Sequence, residues 1–178
     1  MIFRLATLPD LDAASIVVRT TFLANVAPLY NPEGIQTFLS YAQAEAWGLR
    51  HSQGHNTWIA LEGERIVGVA HVRDGNHLSM LFVLPAHQRA GVGRALLDIL
   101  RRESPDSEFT VNSSPNAVSA YQKYGFEATG PETVTSGVRF VPMRLRALSK
   151  PNQLPDPTSP SGTPAAGAAG APSVTADH

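Results

Sequence analysis

The residues of this chain best suited to chemistry lie in two stretches. In the first, an apolar run, Leu81-Phe82-Val83-Leu84-Pro85, is followed by Ala86-His87-Gln88-Arg89-Ala90-Gly91-Val92-Gly93-Arg94 and then by Ala95-Leu96-Leu97. A strand that ends in a basic, glycine-bearing turn and opens a helix presents free backbone N–H groups at the positive end of a dipole. An anion fits there. Glycine at 91 and 93 lets the backbone approach it without a Cβ in the way, and Arg89 and Arg94 add charge to the rim. The same two glycines would equally serve an ordinary tight turn. Two other phosphate loops are excluded by sequence. A dinucleotide fingerprint needs Gly or Ala three residues after Gly93, where Leu96 stands, and a P-loop needs Gly-Lys-Ser/Thr.

The second stretch is Asn116-Ala117-Val118-Ser119-Ala120-Tyr121-Gln122-Lys123-Tyr124-Gly125-Phe126. Ala117, Ala120, Tyr121 and Tyr124 share one helical face, so both tyrosines suit a core as well as a site. A phenol is protonated at neutral pH and can donate a proton. Upstream, His77 shares a strand face with Ser79, Leu81 and Val83 by period-two alternation. An imidazole there could accept a proton, or could simply follow the Asp74-Gly75-Asn76 turn into solvent. His51, His55 and His87 lack the spacing of a metal site, and no metal is expected.

These stretches, in this order, resemble the GNAT family of N-acetyltransferases. Gln88-Arg89-Ala90-Gly91-Val92-Gly93 is similar to the family's Q/R-x-x-G-x-G/A signature, and residues 116–126 to its N…A…YxxxGF helix. The resemblance spans residues 1 to about 146 and is closest to small stand-alone bacterial members. It implies a single mixed α/β (α+β) domain with the GNAT acyl-CoA N-acyltransferase fold and splayed central strands. Acetyl-CoA would be the co-substrate, its pyrophosphate held by residues 88–94. Backbone amides of Leu81, Phe82 and Val83 would meet the pantetheine arm and polarise the thioester. Tyr121 falls on the family's tyrosine and would protonate the leaving thiolate.

His77 aligns with one histidine of a two-histidine segment in the arylalkylamine branch, where Ser79 replaces the other. It is the first candidate base; His71 and Glu127 are weaker ones, and many members of the family use ordered water instead. Asn112 would lie near the point where the strands separate, and Asn116 would contact the CoA arm. The acceptor side would be built from residues 22–47 and 131–142. Phe22, Tyr30, Phe38, Tyr41, Trp47 and Phe140 would line an apolar pocket or simply pack as core, and Glu33 and Glu132 would attract a cationic amine. A small-molecule amine is the expected acceptor, with a protein N-terminus or lysine second. Two readings of other classes are a non-catalytic acyl-CoA sensor and a nucleotide-binding module. Homodimerisation through the last strands is a family habit.

The elements that would position these residues alternate. Ile2–Ala6 reads as a strand, Pro9 to Phe22 as a helix, and Pro32 to Ala42 as a second helical region. Trp58–Glu62 and Arg65–Val72 form a hairpin around Gly63, and His77–Val83 follows a second turn at Asp74-Gly75. Arg94–Glu103 is helical, Phe109–Asn112 extended, and Pro115–Tyr124 helical up to Gly125, with Ser114 at its N-cap. Phe126–Ala128 and Val138–Arg144 read as final strands.

The chain has 178 residues, a formal net charge of −1 and 43% hydrophobic residues. That size suits one domain, and the charge balance argues against nucleic-acid binding. No apolar run is long enough to span a membrane, the N-terminus lacks a signal-peptide pattern, and cysteine is absent, so a cytoplasmic location is expected. Of 14 prolines, six crowd into residues 151–172. Together with Ala, Gly, Ser and Thr they predict a disordered tail over 149–178 and a folded domain over 1–148.

Overall fold

Strand β3 (Arg65–Arg73) is buried from Ile66 to Val72, so both of its faces are covered, as in a sheet with helices on two sides. The computed structural model describes residues 1–147. Along the chain run β1 (Ile2–Leu5), α1 (Leu11–Asn25), α2 (Pro32–Tyr41), α3 (Ala44–Ser52), β2 (Asn56–Glu62), β3, β4 (His77–Val83), α4 (Val92–Glu103), β5 (Phe109–Ser113), α5 (Val118–Lys123), β6 (Glu127–Ala128), β7 (Thr133–Thr135) and β8 (Val138–Leu145). The sheet order is β1-β2-β3-β4-β5-β8-β6, with β7 paired to β8. It is a mixed sheet: β4 and β5 are parallel, while the other pairs are antiparallel.

Helix α4 seats on the sheet through Val92, Leu96, Leu97 and Leu100, all buried. Gly68 of β3 makes that seat possible, because a Cβ there would lie 2.9 Å from a Val92 methyl. Each fully buried Leu contributes roughly 1.5–3 kcal/mol of hydrophobic stabilisation. Phe22, Val26 and Ala27 of the α1 end form a second cluster with Tyr30, Ile35, Phe38, Leu39 and Phe82.

The central feature is a short parallel ladder. β4 and β5 pair only at His77↔Thr110 and Leu78↔Val111, although β4 continues to Val83 and β5 to Ser113. Beyond that point the strands part, as expected of splayed central strands. A wedge-shaped opening results.

Four local features depart from expectation. Residues 44–52 form a separate helix, α3, which fully buries Trp47 alone and leaves most of its other residues half-buried. The helix expected from Pro115 begins as a 3₁₀ turn over Pro115–Ala117, and regular α-helix starts at Val118. Ser114 stands at the cap position, yet its hydroxyl bonds the Asn116 side chain instead of the helix backbone. β7 is an added three-residue strand closing a tight hairpin with β8. The tail expected over 149–178 lies outside the described residues.

Candidate active site

The opening between β4 and β5 has two differently built faces. Leu84 N–H bonds the Val67 carbonyl at 2.9 Å, so two residues back Phe82 is the one hydrogen-bonded across to β3. Leu81 and Val83 therefore turn their backbone groups toward the opening. Gln88 confirms the direction for Val83, whose carbonyl accepts its side-chain N–H at 2.9 Å. Phe82 contributes its ring: it packs 5.6 Å from Phe38, which stacks on Phe22 at 3.9 Å. On the other face, a Cβ placed on Gly93 would lie 3.7 Å from Val83 and 4.0 Å from Leu81 side chains.

At that second face begins α4. Its N-cap is Gly91, at φ +82°, a left-handed conformation that costs a side-chain-bearing residue about 1–2 kcal/mol. Arg89 also adopts positive φ, at +62°. No side chain caps α4, and the first intrahelical bond of this turn is Ala95 N–H to Gly91 O. The N–H groups of Val92, Gly93 and Arg94 are thus left for an external acceptor, and residues 89–94 fit an anionic group. Ala90 and Arg89 are exposed beside them. Arg94 is held by Asp98 at 3.2 Å and reaches the Lys123 carbonyl at 3.5 Å, tying α4 to the end of α5.

Tyr121 is buried, with its ring edge-on to Phe126 at 5.3 Å and to Tyr124 at 6.3 Å. Burial, reinforced by Tyr124, pushes its phenol well above the ordinary value, so it stays protonated throughout the neutral range. His77 is half-buried, and its Nδ1 shares a 2.9 Å hydrogen bond with Thr110 Oγ1 across the first paired rung. Burial, with Arg73 adding to it, pulls the imidazole down to about 4. It does not face solvent. It sits four residues before Leu81, about 13 Å along the strand at roughly 3.3 Å per residue. Between them the Ser79 hydroxyl is buried without a protein partner.

Other expected residues do different work. Asn112 is exposed on β5 past the last rung. Asn116 has both ends of its amide engaged: it accepts from Ser114 and donates to the Asn25 carbonyl at 2.8 Å, capping the end of α1. His71 is buried between Thr57 (2.9 Å) and His55 (3.4 Å) and stacked on Trp47, away from the opening. Glu127 is exposed and pairs with Arg146. Of the apolar candidates, Phe22, Tyr30 and Phe38 cluster beside Phe82. Tyr41 instead lies under the Arg50 guanidinium at 3.6 Å, and Trp47 belongs to the main core. Glu132 is neutralised by Arg139 at 2.6 Å.

The α1–α2 connection and the β7–β8 hairpin are fastened together beside this cluster. Tyr30 Oη donates to the Arg139 carbonyl at 2.7 Å, Arg139 Nη1 donates to the Leu29 carbonyl at 3.1 Å, and Thr37 donates to the Ser136 carbonyl at 3.1 Å. Burial pushes the Tyr30 phenol up to about 12, which keeps that donor in place.

A split parallel ladder beside an uncapped, glycine-opened helix is the arrangement expected of an acyl-CoA N-acyltransferase, and residues 26–147 match the family described as "Acetyltransferase (GNAT) domain". The chain belongs to the GNAT family. This acetyltransferase is 30% identical over 105 residues to the uncharacterized N-acetyltransferase YafP of Escherichia coli K12, covering 59% of the chain and 67% of that protein. It is 29% identical over 70 residues to the peptidyl-lysine N-acetyltransferase YiaC of the same organism, covering 39% of the chain and 48% of that relative. Among solved structures, a GNAT protein from Rhodopseudomonas palustris superposes with a TM-score of 0.69 at 22% identity, over 82% of this chain and 94% of that one. The PaiA N-acetyltransferase of Thermoplasma acidophilum, solved with coenzyme A, gives 0.64 at 18% identity, over 82% and 99%. These structural likenesses establish the fold.

Proposed function

We propose that the acetyltransferase moves the acetyl group of acetyl-CoA onto the primary amine of a small molecule, by direct transfer within a ternary complex. The observation that carries the acceptor class is the fastening of the α1–α2 connection to the β7–β8 hairpin. Tyr30, Arg139 and Thr37 hold these segments together beside Phe82, a fastening that favours a compact acceptor over an extended peptide. A compact amine would approach the opening from the Phe38–Phe82 face.

The N–H groups of Val92, Gly93 and Arg94 would hold the pyrophosphate, with Arg89 at the rim. The outward-turned backbone of Leu81 and Val83 would orient the pantetheine arm and polarise the thioester carbonyl. The amine nitrogen forms the new C–N bond, the C–S bond breaks, and Tyr121 gives its proton to the departing thiolate. The amine must shed a proton as it attacks. His77 is neutral at physiological pH and can take that proton in transit. Its place about 13 Å from Leu81 requires a relay through the Ser79 hydroxyl or water.

A protein-lysine acceptor is the second reading, favoured by the similarity to the peptidyl-lysine N-acetyltransferase. Release of CoA thiol, followed over a panel of small primary amines and lysine- or N-terminus-bearing peptides, separates the two. Turnover on peptides alone overturns the small-molecule reading. Tight acetyl-CoA binding with no turnover on any acceptor would instead mark a sensor.

A further inference from the structure

Tyr124 stands at the C-cap of α5, two residues before the motif ends at Phe126, and its ring alone accounts for packing. The ring stands at 89° to that of Tyr121 and is half-buried in the main core. The hydroxyl is a different matter. A point one Cβ length from Gly93 lies 3.2 Å from Tyr124 Oη, and the same point is within 4.0 Å of Val83 and Leu81 side chains. The hydroxyl thus stands at the first turn of α4, where the chain leaves three N–H donors without internal acceptors. Among the described residues it has no hydrogen-bond partner of its own. Arg94 fixes the approach of the two helices by reaching the Lys123 carbonyl, the residue next to Tyr124. A phenylalanine would fill the same space, so what the oxygen adds is a hydroxyl beside the first turn of α4.

We propose that Tyr124 is a cofactor-binding residue whose hydroxyl donates a hydrogen bond to the pyrophosphate of the bound acyl-CoA. The inference rests on the acetyl-CoA reading above. It also accounts for Gly93 beyond its role in the turn: a side chain at 93 would crowd the hydroxyl out of the cradle. The two tyrosines of α5 and its C-cap then divide the work. Tyr121 serves the sulfur and Tyr124 the phosphate.

The test is Tyr124→Phe, which keeps the ring and the contact with Tyr121, measured by calorimetry with two ligands. One is CoA; the other is 3′-phospho-ADP, which retains the pyrophosphate and lacks the pantetheine arm. Loss of a hydrogen bond to a charged group predicts dissociation constants raised about tenfold for both. Melting temperature within about 2 °C of wild type checks that the fold is intact. Unchanged affinity for both ligands overturns the proposal. So does a loss confined to CoA, which would place the bond on the pantetheine arm, or a loss confined to kcat. Wild-type protein that binds neither ligand would overturn the acetyl-CoA reading itself, a separate outcome.

Discussion

Gly34 in the first turn of α2 and Gly137 in the β7–β8 hairpin touch backbone to backbone. A Cβ on Gly34 would overlap the Gly137 carbonyl, and one on Gly137 would overlap the Gly34 amide. Gly137 also requires glycine for its φ of +74°. Asn31 caps α2 through the Gly34 N–H at 2.8 Å, so the contact joins a capped helix end to a tight turn. Neither side can easily give.

Gly34→Ala should therefore pry α2 from the hairpin. Overpacking of this kind costs about 1–3 kcal/mol, which corresponds to a fall in Tm of roughly 3–10 °C. Because the same contact borders the acceptor side, KM for the amine should rise while the dissociation constant for acetyl-CoA stays put. Calorimetry and steady-state kinetics check both. An unchanged amine KM in a destabilised variant would separate this fastening from the acceptor site.

Tyr121→Phe should retain the edge-on packing against Phe126 and the affinity for acetyl-CoA while losing at least tenfold in kcat. General acid catalysis typically supplies 10²–10⁴-fold, and the buried phenol is held in its protonated form. Turnover equal to wild type would remove Tyr121 from the mechanism.

How much of this was legible beforehand depends on the kind of signal. The glycine loop and the turns at Gly63 and Asp74-Gly75 announced themselves, because φ above zero and close backbone approach demand particular residues. Strands β2 to β5 followed from apolar runs between those turns. α3 was missed because Gly48 interrupts it, no side chain caps it, and Trp47 is the one residue it buries. Apolar periodicity reports that a face is covered without saying by what. So Tyr41 and Trp47 were grouped with Phe22 and Phe38, although α2 and α3 carry them to Arg50 and His71. Asn116 matched a motif letter, yet its amide caps α1, a long-range bond that no local pattern encodes. The fastening of Tyr30 to Arg139 spans 109 positions and was invisible for the same reason.

Acid should unfold the protein through its buried histidines. Burial, with Arg50 next and His55, Arg73 and His51 adding to it, pulls His71 down to about 3. In the unfolded chain it titrates near 6.5. Between those values the unfolded state holds a proton that the native state lacks, so stability is intact above pH 6.5 and falls as pH drops. The slope from this residue approaches about 1.4 kcal/mol per pH unit. His77, at about 4, adds to it over the narrower window from 6.5 to 4. Urea titrations at pH 7, 6, 5 and 4.5 should show the decline, and His71→Gln should flatten it. Equal slopes in the two proteins would assign the acid sensitivity elsewhere.

His77→Ala tests the proton path separately. If His77 takes the amine proton through Ser79, kcat/KM should fall at least tenfold near pH 7, and the acid limb of the wild-type rate profile should change shape. On the same relay, Ser79→Ala should produce a similar, smaller loss, because its buried, unpartnered hydroxyl lies along β4 between His77 and Leu81. Equal rates for wild type and both variants would leave the proton to solvent.

Removal of residues 149–178 should leave kcat, both KM values and Tm unchanged. Every strand and helix among the described residues lies within residues 2–145, as do the loop at 88–94, both tyrosines of the motif and the α2–hairpin contact. The core closes with Met143 and Leu145 of β8, which pair with Val111 and Phe109 of β5 before the chain reaches Lys150. The family match also ends at residue 147. The segment's composition is proline-rich, with Leu154 and Val174 as its only sizeable apolar residues, a pattern that offers little apolar surface. Side-by-side kinetics of the full chain and residues 1–148 decide the point: a rise in amine KM on truncation would show that the segment reaches the acceptor side.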